Sequence, residues 1–327
     1  MKVLVTGANG FVGSHLCRLL AAKGATVRAL VRKGSDRSGL DGVPLEEVTG
    51  DILDPESLAK AAEGCEQVYH LAAAVRFFTT DPDGMRRANT EGTRNVLAAA
   101  AKAGARRIVH TSTAAVLRRG PDGTPADESG VKTEDEAVGA YEKTKLEADR
   151  LAMDAAAWGL PVVVVNLAAP VGPGDAKPSP VGRTVLHFLR GKFPAYTDSG
   201  LNVVDVRDAA EGHLLAAERG TPGGRYVIGA ENMSLKAFLD LLSELSGVPA
   251  PTLRVPYALT LIGGLFGELT GRITGGEPLA CLASVRMAKY PHYVSIDKAR
   301  RELGYAPVPV RQALTEEIAW FRNRRMV

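Results

Sequence analysis

Val3-Leu4-Val5-Thr6-Gly7-Ala8-Asn9-Gly10-Phe11-Val12-Gly13 decides the fold. An apolar run predicts a strand, three glycines follow at G-x-x-G-x-x-G spacing, and Val12, Leu16, Leu19 and Leu20 then recur at helical spacing. In such a strand–turn–helix the first glycine permits the tight turn, the second lets the backbone approach a pyrophosphate, and the third lets helix and strand pack closely. Amide groups at the start of the helix face the anion. Gly7, Asn9, Gly10, Phe11, Val12 and Gly13 are therefore candidate cofactor-binding residues.

Outward from this turn, β-branched runs alternate with Ala/Leu-rich helical patterns. Strands are predicted at Lys2-Thr6, Thr26-Val31, Leu45-Thr49, Gln67-Leu71, Arg107-Ser112 and Pro161-Asn166. That alternation predicts an α/β fold, a doubly wound parallel Rossmann sheet with helices on both faces. Pro and Gly crowd together from Pro170 to Pro180, where the chain is expected to leave the sheet. Beyond it, strands near Asn202-Val206 and Arg225-Ile228 and helices near Ser234-Leu245, Tyr257-Leu269 and Val310-Arg324 predict a smaller mixed α/β lobe. The expected division is a dinucleotide-binding domain over 1–166 and a predominantly substrate-binding lobe over 167–327, some of whose segments return to the sheet.

The chain has 327 residues, with 40 basic against 37 acidic side chains and a net charge of +3. No strong field marks it for nucleic acid or a membrane surface. Cys17, Cys65 and Cys281 are too few and too far apart for a disulfide framework or a zinc site, so no metal is expected and a reducing cytoplasm is the simplest location. The strand begins at the second residue, leaving no room for a signal peptide, and no apolar stretch reaches the roughly 20 residues of a membrane span.

The end of the second strand reads Val31-Arg32-Lys33-Gly34-Ser35-Asp36-Arg37. A carboxylate at the strand end would bind a free ribose 2′-hydroxyl; Arg32, with Arg37 behind it, instead offers the forked donors that a 2′-phosphate favours. NADP is expected over NAD, with NAD as the alternative. Asp51 and Ile52 follow the third strand, where the aspartate is placed to accept from the adenine amino group. Leu71, Ala72 and Ala73 follow the fourth, where small residues let backbone pass close to a ribose.

Tyr141 and Lys145 lie one turn apart in a helix-favouring stretch, so an ammonium stands near a phenol. A nearby cation favours the phenolate and is expected to lower the phenol's pKa from its ordinary value near 10. The strand before this helix ends in Thr111-Ser112-Thr113. A hydroxyl at a parallel strand's carboxyl end lies where open α/β sheets place their ligands. Thr113 is the candidate partner to Tyr141, with Ser112 in reserve. His70 and His110 are expected to be satisfied core histidines.

Together with Gly50-Asp51-Ile52, Leu71-Ala72-Ala73, Asn89-Thr90-Glu91-Gly92-Thr93, Val206-Arg207-Asp208 and Lys298-Ala299-Arg300-Arg301-Glu302-Leu303-Gly304-Tyr305, these motifs resemble the extended short-chain dehydrogenase/reductase family, also called the NAD-dependent epimerase/dehydratase family. The resemblance spans nearly the whole chain. It implies that Tyr141 is the acid/base, that Lys145 lowers its pKa and holds the nicotinamide ribose, and that Thr113 orients the substrate oxygen. It also implies a structural Asn89, a nicotinamide-contacting loop after Asn166, and a homodimer through the helices following Asn89 and Tyr141.

Departures from the family narrow the reaction. Sugar-nucleotide dehydratases carry Asp-Glu after the catalytic threonine; here Ala114-Ala115 follows Thr113. Sugar-nucleotide epimerases place an arginine before the Val-x-Asp motif to hold a diphosphate; Leu201 stands there. The chain resembles more the subgroup of dihydroflavonol reductases, hopanoid-associated sugar epimerases and sterol dehydrogenases. An NADP-dependent oxidoreductase acting on a secondary alcohol or ketone of an apolar or non-nucleotide small molecule is expected, with a sugar epimerase retaining its cofactor as the alternative. The apolar helix beginning at Tyr257 is expected to be buried core, the other reading being that it walls a hydrophobic substrate site.

Overall fold

The computed structural model describes residues 1–120, 123–276 and 278–327. The first half runs β1 (Lys2–Thr6), α1 (Phe11–Ala22), β2 (Thr26–Val31), β3 (Glu46–Thr49), α2 (Pro55–Ala62), β4 (Gln67–His70), α3 (Pro82–Arg86), α4 (Gly92–Lys102), β5 (Arg107–Thr113), α5 (Gly139–Ala157) and β6 (Val162–Leu167). The second runs β7 (Ala169–Val171), α6 (Pro180–Leu189), β8 (Gly200–Asp205), α7 (Val206–Arg219), β9 (Arg225–Ile228), β10 (Glu231–Ser234), α8 (Leu235–Ser246), α9 (Tyr257–Thr274), α10 (Leu282–Met287) and α11 (Arg311–Asn323).

Seven parallel strands order as β3-β2-β1-β4-β5-β6-β9, the doubly wound arrangement read from the sequence. Alternating side chains of each strand feed two cores, one on each face. Val3 and Val5 of β1 join Leu16 and Leu20 of α1 and Leu214 of α7 on one side. Leu4 joins Leu58 of α2, Val96 of α4 and Ala152 of α5 on the other. With both faces covered, the four valines of β6 are wholly buried, which is why such strands read as continuous apolar runs.

After β6 the chain leaves the sheet, as the Pro/Gly cluster predicts. It builds a three-stranded sheet, β10-β8-β7, whose core of Phe188, Phe238, Leu242, Leu314 and Phe321 is separate from the other two. Helix starts follow their local signals: Asp54 caps α2, Ser179 caps α6 and Ser234 caps α8, the first two with proline at the first helical position. β9 returns from the second half to pair with β6.

Strand ends differ from the sequence reading by a residue or two: β3 starts at Glu46, β4 stops at His70, β5 reaches Thr113, and β8 begins at Gly200. The larger correction concerns α9. It is not buried core, because most of its large side chains face outward while Gly264, Gly267 and Gly271 face inward. A β-carbon on Gly267 would lie 1.9 Å from the Ala280 carbonyl oxygen, and one on Gly271 would lie 2.9 Å from the Phe78 ring. Leu265 and Phe266 are 57% and 64% exposed. Composition alone could not give the direction of the apolar face.

Candidate active site

The glycine turn is shaped by backbone contacts that exclude side chains. Gly7 has φ +71°, and a β-carbon there would lie 2.6 Å from the Ala72 amide nitrogen. One on Gly13 would lie 2.1 Å from the Gly7 carbonyl oxygen. The Gly10 amide donates to that same oxygen at 2.9 Å, and α1 starts at Phe11. This turn therefore lies directly against Leu71 and Ala72 at the end of β4, so two predicted cofactor elements meet. Thr6 is bonded to His70 Nδ1 at 2.7 Å, and His70 Nε2 to Thr93 at 3.0 Å, which fixes the two strand ends to α4.

The other cofactor candidates are spread along the same edge. Asn9 donates to the Asp36 carbonyl at 2.8 Å and so ties the glycine turn to the loop after β2. Arg32 follows β2, exposed, with no carboxylate within ion-pair reach among the described residues. Arg37 is engaged, its guanidinium 3.0 Å from Glu47 of β3. The Asp51 side chain accepts from the Leu53 amide at 2.9 Å, and Ile52 packs against Gly92. Ala73 precedes Ala74, whose amide and carbonyl are both held by Asn89, at 2.7 and 3.0 Å.

Asn89 sits in a single π-turn, Arg87–Glu91, between α3 and α4. The widened turn brings its amide to Thr144 as well, at 3.0 Å. It thus locks the segment after β4 to the helix that carries Tyr141 and Lys145, the structural part the resemblance implies.

Tyr141 opens α5 and is buried, with the Thr113 hydroxyl at the end of β5 near enough to its phenol to favour the phenolate. Thr113 and Ser112 alternate across the strand. Ser112 is buried with no partner for its hydroxyl among the described residues, so Thr113 is the hydroxyl at the tyrosine. The ring of Phe77 stands edge-on to Tyr141 at 5.7 Å.

The expected depression of the phenol's pKa is absent. Burial pushes Tyr141 up to about 12; the nearby Thr113 hydroxyl opposes this and the Glu142 carboxylate adds to it. Lys145 is turned elsewhere: its ammonium donates to the Thr111 carbonyl at 2.8 Å. Burial lowers Lys145 to about 8, partly offset by Asp149 one turn on. In this state the phenol is a proton donor and the lysine is held at the strand end.

A buried network not read from the sequence supports the pair. Arg225 at the start of β9 forms a two-pronged ion pair with Asp149 of α5, at 2.8 and 3.2 Å, and donates to the Asn166 side chain at 3.2 Å. Asn166 in turn donates to the Thr113 carbonyl at 3.2 Å. One knot thereby ties together the strand carrying Thr113, the helix carrying Tyr141, and two further strands. Its signals were present: Asp149 continues the Tyr141–Lys145 face at fourfold spacing, and Arg225 is the lone charge opening an apolar strand. Glu142, also missed, is wholly buried, held by Lys132 at 3.1 Å and by the Val138 amide at 2.7 Å.

The histidine reading is half corrected. His70 is satisfied, but neither ring nitrogen of His110 has a partner among the described residues, although the two rings lie 5.4 Å apart. No group of three or more histidines, cysteines and carboxylates suited to a metal occurs among those residues. Nor is any described helix long and apolar enough to cross a membrane.

Comparison with known proteins agrees with this geometry. Residues 3–229 match the NAD dependent epimerase/dehydratase family. A dihydroflavonol 4-reductase-like protein of Synechocystis is 41% identical over 99% of this chain and 95% of its own length. Sterol demethylase protein B of Methylococcus capsulatus is 36% identical over the full length of both. The crystal structure of gox2253 superposes with a TM-score of 0.89 at 41% identity, covering 100% of this chain and 99% of that one. The chain belongs to the NAD-dependent epimerase/dehydratase family, the extended short-chain dehydrogenases/reductases, and is an NAD(P)-dependent oxidoreductase.

Proposed function

We propose that this protein is an NADP-dependent reductase that interconverts a ketone and a secondary alcohol on an apolar substrate carrying no nucleotide. The observation that carries the reading is the contact of Thr113 with a buried, protonated Tyr141 under the edge of Phe77. The cradle fits a dinucleotide: glycines at 7 and 13 leave no room for a β-carbon, and an open helix start faces the space beside them. Residues 1–166 would hold the cofactor and 167–327 most of the substrate.

When bound, the nicotinamide supplies or accepts the hydride. The chain's own residues handle position and protons. Thr113 donates a hydrogen bond to the substrate oxygen, and Tyr141 gives that oxygen its proton as negative charge develops on it. Lys145 holds the ribose and, while protonated, favours loss of the phenolic proton. Phe77 covers the tyrosine with an apolar ring, and Leu201 of β8 offers nothing to a diphosphate. The relatives named for a dihydroflavonol and a sterol point the same way.

The preference for NADP rests on Arg32, which is exposed at the end of β2 with no carboxylate in reach among the described residues, and with Arg37 committed to Glu47. A charge-assisted contact to a 2′-phosphate contributes about 1.5–3 kcal/mol, so NADPH is expected to bind roughly 10- to 100-fold tighter than NADH, and Arg32→Ala to erase the difference. Equal affinities in the wild type would refute it. A panel of aryl, polycyclic and alkyl ketones followed by NADPH absorbance tests the reaction. Turnover of a sugar nucleotide with no net absorbance change would establish the epimerase instead.

A further inference from the structure

A helix on a protein surface ordinarily turns its large apolar side chains inward and its small ones out. α9 does the reverse. Gly264, Gly267 and Gly271 face the protein, where β-carbons would strike the Cys281 backbone, the Ala280 carbonyl and the Phe78 ring. Rotation cannot hide the other face, because that row alone fits. Leu259, Ile262, Leu265, Phe266, Leu269 and Ile273 are consequently 57, 52, 57, 64, 55 and 77% exposed. They form one stripe along an 18-residue helix. Together they leave on the order of 600 Å² open, at the upper end of what monomers tolerate.

Charge and area indicate what covers the stripe. Within α9 the only ionic groups, Glu268 and Arg272, pair with each other at 2.8 Å. Arg254, just before the helix, pairs with Asp198. Exposed cations with no carboxylate in reach among the described residues stand on the two segments that pack on α9: Arg286 and Lys289 in and just after α10, and Arg76 on the loop that carries Phe78. Lys289 also lines an open cleft of about 500 Å³ with Tyr196, Tyr293, Asp198, Lys236 and Arg254, the last two ion-paired with Asp240 and Asp198. A stripe one helix wide falls short of the about 800 Å² per partner that a stable dimer buries. An apolar face on a helix whose neighbouring segments carry exposed cations suits an anionic lipid surface, where such a helix lies in the plane of the headgroups.

We propose that α9 docks this protein on an anionic lipid surface, and that its lipophilic substrate enters from that surface. The second clause rests on the proposed ketone reductase, whose site is close by. Gly271 packs on Phe78, the Cys281 thiol before α10 donates to the Phe77 carbonyl at 3.5 Å, and the Phe77 ring stands edge-on to Tyr141. The lipid-facing helix and the catalytic tyrosine are joined by two residues of one loop.

Flotation of the full chain with vesicles of equal parts phosphatidylcholine and phosphatidylglycerol tests this. The wild type is expected to float with these vesicles, and to float less with pure phosphatidylcholine or in added salt. Ile262→Glu with Phe266→Glu is expected to cut the partition roughly tenfold or more at an unchanged melting temperature. Arg286→Glu with Lys289→Glu should remove the preference for anionic vesicles. The idea is overturned if the wild type stays unbound, if the apolar pair of substitutions leaves partition unchanged, or if that pair instead converts a dimer into a monomer by light scattering. Partition is read without turnover, so failure of the ketone panel would sink the reductase reading and the entry route while leaving docking to be judged alone. Turnover of a water-soluble ketone without vesicles is expected to be unaffected by all four substitutions.

Discussion

At the scale of single residues, the proposed proton chemistry depends on Tyr141 and on what surrounds it. Burial holds its phenol protonated, so reduction has a donor at any physiological pH. Tyr141→Phe is expected to lower turnover about 10²–10⁴-fold while leaving NADPH affinity, measured by fluorescence titration, nearly unchanged. Lys145 sets the other limb. With its pKa near 8, it is charged below that pH and neutral above, so the rate is expected to fall as pH rises through about 8. The Asp149 carboxylate raises that pKa, so Asp149→Asn should shift the limb to lower pH. The same change leaves Arg225 buried without its ion-pair partner, a loss of about 3–5 kcal/mol visible as a lower melting temperature. A limb that stays in place would show that Asp149 acts only in stability.

At the scale of elements, small residues decide how helices meet their neighbours. Gly267 of α9 faces the Ala280 carbonyl across less room than a methyl group needs. Gly267→Ala is therefore expected to loosen α9 and α10 from the rest, detectable as faster amide exchange over 257–287, with the Rossmann strands unaffected. Elements were also where sequence reading was strongest and weakest. The glycine turn, the alternation of strand and helix, and the hydroxyl end of β5 have local signatures, because each rests on a dihedral, a period or a position along a strand. The direction of α9, the π-turn at Asn89 and the tie from Arg225 to Asp149 do not. They depend on which distant surface each segment meets, and a row of leucines reads the same whether it faces a core or solvent.

At the scale of the whole molecule, buried ionisable groups pull stability in opposite directions with pH. His70 and His213 are held neutral by burial, at about 3 and about 4, so their contribution is complete above about pH 6.5 and is lost as pH falls. Asp175 is raised by burial to about 6, and Glu317 of α11 is raised well above the carboxylate range by burial and by Asp175. Groups raised in the folded state add stability that is complete below their unfolded pKa and is lost as pH rises through the folded one. Glu317 has one oxygen bonded to the Gly172 amide and the other without a partner among the described residues. Glu317→Gln keeps that bond and removes the titrating carboxyl from the buried site. It is expected to raise the melting temperature at about pH 8, by about 2–4 °C per kcal/mol recovered, and to change little at about pH 4. An equal shift at both pH values would show that charge is not what Glu317 costs.

The knot of Asp149, Asn166 and Arg225 also has a consequence for the order of synthesis. When residue 166 leaves the ribosome, six strands of the large sheet exist, yet Asp149 has no cation and the Thr113 strand end is unsecured. At about 5–20 residues per second, some seconds pass before Arg225 is added. Through that interval the strand end at Thr113 lacks its tie, so the amino-terminal half is expected to reach its finished packing only once Arg225 has followed.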